Sequence, residues 1–151
     1  MLCGSGSGGP NYQQFVASFA QPLNEEESVP QSQSTDGMSY LAVDEAPWEE
    51  QTPLSRRKIL RLEEDIYIAI VQWDPGFTLP TMDVHGGEET LYVLAGTFVD
   101  QFRTSGPGTA IRGTPGSSHQ PSTPDGVTFL VTRTLLPGER ERIAPRSSPL
   151  F

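Results

Sequence analysis

This chain of 151 residues contains two histidines, and both stand among residues suited to holding a cation. His85 lies in Met82-Asp83-Val84-His85-Gly86-Gly87-Glu88-Glu89, with Asp83 two residues before it and Glu89 four after it. His119 follows Pro115-Gly116-Ser117-Ser118. Imidazole nitrogen and carboxylate oxygen are ordinary ligands of divalent first-row metals. Buried carboxylates without partners are costly, so a bound cation would make Asp83, His85, Glu89 and His119 tolerable together. A blander description fits the same residues. A histidine in a Gly-Gly turn is often solvated, Glu88-Glu89 reads equally as a wet pair at a hairpin, and His119 could cap a turn through the adjacent serines. Spacing alone leaves both open.

Either reading depends on how the residues are carried. In a strand, residues i and i+2 share a face, so Asp83 and His85 project together. Gly86-Gly87 permits a tight turn, after which Glu89, Leu91 and Val93 share one face of the next strand and Glu88 takes the other. If the first face is the interior, Asp83, His85 and Glu89 converge at the end of that hairpin, and His119 arrives from a neighbouring strand. The surrounding chain reads as strands. Lys58 to Leu62 alternates, and Asp65 to Trp73 is β-branched and aromatic, closed by Asp74-Pro75-Gly76. Thr90 to Leu94 is a further strand, Thr97 to Phe102 returns from it, and Val127 to Leu135 comes last. No long window keeps a helical period. Short strands separated by Gly/Pro turns predict an all-β sandwich or barrel.

Composition sets the limits. The length fits one domain. Gly4-Ser5-Gly6-Ser7-Gly8-Gly9-Pro10 is flexible linker chemistry, and no Gly-Lys-Ser/Thr follows it to make a phosphate loop. Residues 1–40 are expected to be a disordered tail, 41–137 the barrel, and 138–151 a mostly exposed C-terminal extension. Eight acidic residues and no lysine or arginine precede Arg56, so nearly all of the net charge of −9 sits in that segment. The rest is close to neutral, which argues against nucleic acid or an anionic membrane as partner. Cys3 is the only cysteine, which excludes a disulfide framework and a thiolate-rich metal site. The first 55 residues lack the basic and apolar regions of a secretory signal, and no run approaches the roughly 20 apolar residues of a membrane span. The expectation is a cytoplasmic protein.

The chemistry-bearing stretches also occur in a telling order. Trp73-Asp74-Pro75-Gly76, Asp83-Val84-His85, Gly86-Gly87-Glu88-Glu89, Leu94-Ala95-Gly96-Thr97-Phe98 and Pro115-Gly116-Ser117-Ser118-His119 together resemble the two motifs of ChrR-type cupins. The resemblance covers about Trp48 to Leu135. It implies a single-domain jelly-roll β-barrel around one divalent metal held by Asp83, His85, Glu89 and His119. Fe(II) is the first choice and Zn or Mn the alternative. Asp83 stands where the family usually has histidine. It would be either a carboxylate ligand or a neighbour of a His85–Glu89–His119 triad, and loss of the metal is a third outcome.

The resemblance further implies an enzyme acting on a small, aromatic or polyketide-like molecule, with dioxygenase-type oxidation first. Glu89 and Glu88 would be the catalytic carboxylates. Trp73, Phe98 and Phe129, with Phe102, would line the substrate pocket, although each also suits ordinary core packing. A non-redox isomerase, cyclase or decarboxylase is the alternative, as is a ligand-binding sensor. The anti-sigma role of ChrR is disfavoured, because the His/Cys cluster of its sigma-binding domain has no counterpart before residue 48. Family habit implies a homodimer.

Overall fold

The computed structural model describes residues 33–145. It begins with a hairpin, β1 (Gln33–Thr35) and β2 (Met38–Tyr40). Asp36 and Gly37 between them both have positive φ, 52° and 80°, the pattern of a two-residue turn that matches strand twist. Residues 33–40, read from sequence as the end of the tail, therefore form paired strands, yet Met38 and Tyr40 remain exposed and add nothing to the core. The expected tail over residues 1–32 lies outside the described residues, as do residues 146–151.

Six strands make the main wall. They are β3 (Glu49–Thr52), β4 (Ser55–Leu62), β5 (Ile66–Trp73), β7 (Glu89–Gly96), β10 (Ala110–Gly113) and β12 (Val127–Thr134), in spatial order β10-β7-β12-β5-β4-β3. All adjacent pairs are antiparallel. β5 alternates half-buried and buried residues along its whole length, so Tyr67, Ala69, Val71 and Trp73 face inward and Ile66, Ile68 and Ile70 face outward. Register carries the inward face across the sheet: Ala69 lies opposite Val131, which lies opposite Leu91, and Val71 lies opposite Phe129, which lies opposite Val93.

The second wall is built from short ribbons. β6 (Asp83–Val84) pairs with β11 (Ser118–His119), and β8 (Phe98–Val99) pairs with β9 (Thr104–Ser105). Ser122 bridges Thr78 on one side and Val99 on the other, which links the ribbons. The two walls remain separate sheets among the described residues. Between them Trp73, Phe77, Phe98 and Phe129 pack with centroid separations of 4.5 to 5.8 Å. The all-β jelly-roll expectation holds.

Two sequence expectations change. Thr97–Phe102 does not return alongside β7; β7 is flanked by β10 and β12, and β8 crosses to the other wall. The C-terminal extension is not simply exposed. Gly138, at φ 82°, opens a short helix, α1 (Glu139–Ile143). Ile143 and Ala144 pack against the core, and Arg57 Nη2 donates to the Ile143 carbonyl at 2.6 Å. No helix among the described residues is long and apolar enough to cross a membrane.

Candidate metal centre

Pairing between β6 and β11 places Asp83 directly opposite His119. The same two segments are fastened beyond the ribbon, since His85 N donates to Ser117 O at 2.9 Å and Gly116 N donates to His85 O at 2.8 Å. Asp83 and His85 therefore lie on one side of the chain as strand parity requires, while Val84 between them is exposed. Glu89 comes from the main wall, at the start of β7, opposite Gly113 and Arg133. The expected β6–β7 hairpin is not formed: Gly86-Gly87 instead carries the chain from one wall to the other. Gly87 is required by a close approach, because a Cβ there would run into the Thr134 carbonyl oxygen.

Ligand atoms of Asp83, His85, Glu89 and His119 all lie within 4.8 Å of one another. His85, Glu89 and His119 are buried and Asp83 is half-buried. Burial pushes the Glu89 carboxyl up to about 7, with the nearby Asp83 charge adding to the effect and Arg133 and His119 opposing it. Burial also holds the His85 imidazole below its ordinary value; Asp83 pulls it back, and His119 and Arg133 depress it further. The 3.8 Å approach of His85 Nδ1 to Glu89 Oε1 is thus a poor ion pair, because burial works against the charged form of both groups. A divalent cation would relieve that cost, since neutral imidazoles and an ionised Glu89 would be its ligands. These residues fit a metal.

Two neighbours that the sequence did not single out complete the setting. His119 Nδ1 lies 3.1 Å from Asp100 Oδ2. Burial raises the Asp100 carboxyl, but hydrogen bonds from Phe102 N–H, His119 and Arg103 N–H outweigh it and hold the group below its ordinary value. Arg133 Nε lies 3.4 Å from Glu89 Oε2, and its Nη2 lies 3.5 Å from Glu139 Oε1, so α1 is linked to the centre. Asp100 carried no sequence signal, its Asx-type turn being visible only in the structure; Arg133 offered none beyond strand parity with Phe129 and Val131.

Other expected site residues fall elsewhere. Glu88 points outward, is exposed, and pairs with Arg112 at 2.6 Å, so it cannot serve at the centre. Trp73, Phe98 and Phe129 are buried in the core cluster and not at the cavity beside the ligands. That cavity, of about 130 Å³, is lined by His85, Glu89 and His119 together with Leu91, Ile111 and Phe102. Of the aromatics named from sequence, Phe102 is the one at this cavity, and it is 76% exposed. A larger cavity of about 740 Å³ lies against Arg57, Tyr67, Arg133 and α1. It holds none of the four candidate ligands, so the chemistry belongs to the smaller one.

Among solved structures, the chain is similar to the polyketide cyclase RemF from Streptomyces resistomycificus, at 20% identity and TM-score 0.58 over 67% of this chain and 82% of that one. It is also similar to the anti-sigma ChrR in complex with SigE from Rhodobacter sphaeroides, at 17% identity and TM-score 0.54 over 87% and 70%. A cupin-like protein of unknown function from Ralstonia eutropha matches at 19% identity and TM-score 0.51, with 54% of this chain spanning only 56% of that protein. At these identities the likeness shows the fold. No curated protein matches the sequence significantly. Residues 36–136 match the ChrR cupin-like domain, and the chain belongs to that cupin family.

Proposed function

We propose that the chain is a metal-dependent cupin enzyme acting on a small oxygen-bearing molecule, with Fe(II)-dependent dioxygenation of a phenolic ketone as the leading reaction. The observation that carries this reading is the convergence of two imidazoles and two carboxylates within 4.8 Å beside a cavity. Two histidines and a carboxylate are the donor set of open-site iron oxygenases. A divalent ion held there would supply a Lewis acid and, as iron, a redox couple for O₂.

The chain's own residues supply the rest. His85, Glu89 and His119 would hold the ion, and Asp83 would add a fourth donor, the second oxygen, or a compensating charge. The cavity is below the roughly 300 Å³ of ordinary ligand sites, so it admits the reactive end of a substrate while the body lies outside. Phe102 stands at that mouth as an aromatic contact. Leu91 and Ile111 keep the inner end apolar and restrict water.

A second reading is non-redox cyclisation or isomerisation, in which the ion would act as a Lewis acid alone. The likeness in fold to RemF supports the same alternative. As partner we propose a second copy of the chain, packed through the outward face of β5, where Ile66, Ile68 and Ile70 stay half-buried in the monomer.

The test is reconstitution of the full chain with Fe(II), followed by oxygen uptake on a panel of hydroxylated aryl ketones. Oxygen uptake coupled to product supports the leading reading. Anaerobic conversion with Zn or Mn supports the second. Failure of every metal form to turn over or bind any member of the panel contradicts both.

A further inference from the structure

We propose that Asp100 is the positioning residue that makes His119 a metal ligand, by deciding which ring nitrogen carries the proton. The inference rests on the metal-centre reading above and adds a residue to it. The two oxygens of Asp100 have separate tasks. Oδ2 lies 3.1 Å from His119 Nδ1. Oδ1 accepts the backbone N–H of Phe102 at 2.9 Å and of Arg103 at 3.0 Å. An ionised carboxylate only accepts hydrogen bonds, so His119 Nδ1 must be the donor. In the neutral ring that leaves Nε2 with its lone pair free, the state a ligand requires.

Alternatives for the ring are few. The side chains of His119 and Asp100 are 8% and 9% exposed, so water does not easily replace either partner. The His119 ring is set between Phe98, 5.9 Å away, and His85, 5.1 Å away. A further bond fastens the same turn to the histidine's strand, since Gln120 N donates to Gln101 Oε1 at 3.1 Å. One carboxylate thus sets the histidine tautomer and shapes the turn that holds Phe102 at the cavity mouth. The ligand and the rim are coupled through it.

Asp100→Asn tests this without changing side-chain size. The variant keeps one oxygen, and two backbone N–H groups compete for it. Its NH₂ then faces His119 Nδ1, which must become the acceptor, so the proton moves to Nε2. The full chain, ¹⁵N-labelled at histidine and stripped of metal, is examined by long-range ¹H–¹⁵N correlation at a pH where the rings are neutral. The His119 signals are assigned by their loss in His119→Gln.

The expected result is the Nδ1–H tautomer of His119 in the wild type and Nε2–H in Asp100→Asn. Affinity for added Zn²⁺ should fall by at least about 10-fold in the variant. An Nε2–H tautomer in the wild type overturns the proposal, and so does an unchanged tautomer in the variant. If the variant does not fold, the wild-type tautomer alone decides. Because the tautomer is read without metal, a tautomer switch in a protein that binds no Zn²⁺ would contradict the metal-centre reading and leave standing only the control of the His119 tautomer by Asp100.

Discussion

Asp83 and His119 are register partners across β6 and β11, which closes a four-residue cluster from two segments far apart in the chain. The pairing also places the Asp83 charge beside Glu89, where it raises that carboxyl's proton affinity. Asp83→Asn should therefore lower the Glu89 pKa in the metal-free protein and weaken metal binding. Carboxyl ¹³C titration of Glu89 checks the first effect. An unchanged titration would remove the electrostatic link between the two carboxylates.

Metal-free stability should depend on pH through Glu89. Its folded value of about 7 lies above the ordinary 4.5, so the folded state holds the proton more tightly than the unfolded chain. That contribution is complete below pH 4.5 and is lost as pH rises to about 7, on the order of 3 kcal/mol across the window. Urea unfolding with chelator present should show the fall, and Glu89→Gln should flatten it. A saturating divalent metal should reverse it by binding the ionised form.

Gly113 leaves room for the His85 ring. A Cβ there would sit 2.5 Å from His85 Cδ2 and 2.6 Å from Nε2. Gly113→Ala should displace the imidazole and reduce metal affinity about 10-fold while the barrel still folds. Circular dichroism together with Zn²⁺ titration separates the two effects. Undiminished affinity would show that His85 has slack which the close approach denies.

Strand periods and scarce histidines made much of the fold and centre legible. β5 and β12 announced themselves through β-branched and aromatic runs, and parity placed Glu89 inward and Glu88 outward. What stayed hidden was pairing. The Gly86-Gly87 signal is local and says only that the chain turns; that β6 joins β11 and not β7 is decided by contacts with a distant segment. Asp100 was invisible for the same reason, since its partner His119 lies 19 residues away. α1 escaped because Glu139 to Arg142 are all charged and Ile143 alone hints at docking. Trp73, Phe98 and Phe129 suited a pocket lining and a core equally well by residue type, and burial put them in the core.

That placement has a consequence for mutants. Phe98 is 1% exposed and touches Trp73, Phe129 and the His119 ring. Phe98→Ala should cost about 3–5 kcal/mol of stability, measured by urea unfolding. Phe102→Ala, at an exposed position, should leave stability within about 0.5 kcal/mol and change only substrate affinity. A stable Phe98→Ala variant with altered substrate affinity would restore the pocket-lining role.

Metal content is the most direct test. Untagged protein, reconstituted anaerobically and desalted, would be analysed by plasma mass spectrometry beside His85→Ala and Asp83→Ala. The expected result is one divalent ion per chain in the wild type, loss in His85→Ala, and weakened or lost retention in Asp83→Ala. Wild-type protein that retains no Fe, Zn or Mn after reconstitution would contradict it and leave a barrel whose buried acid and imidazoles serve some other end.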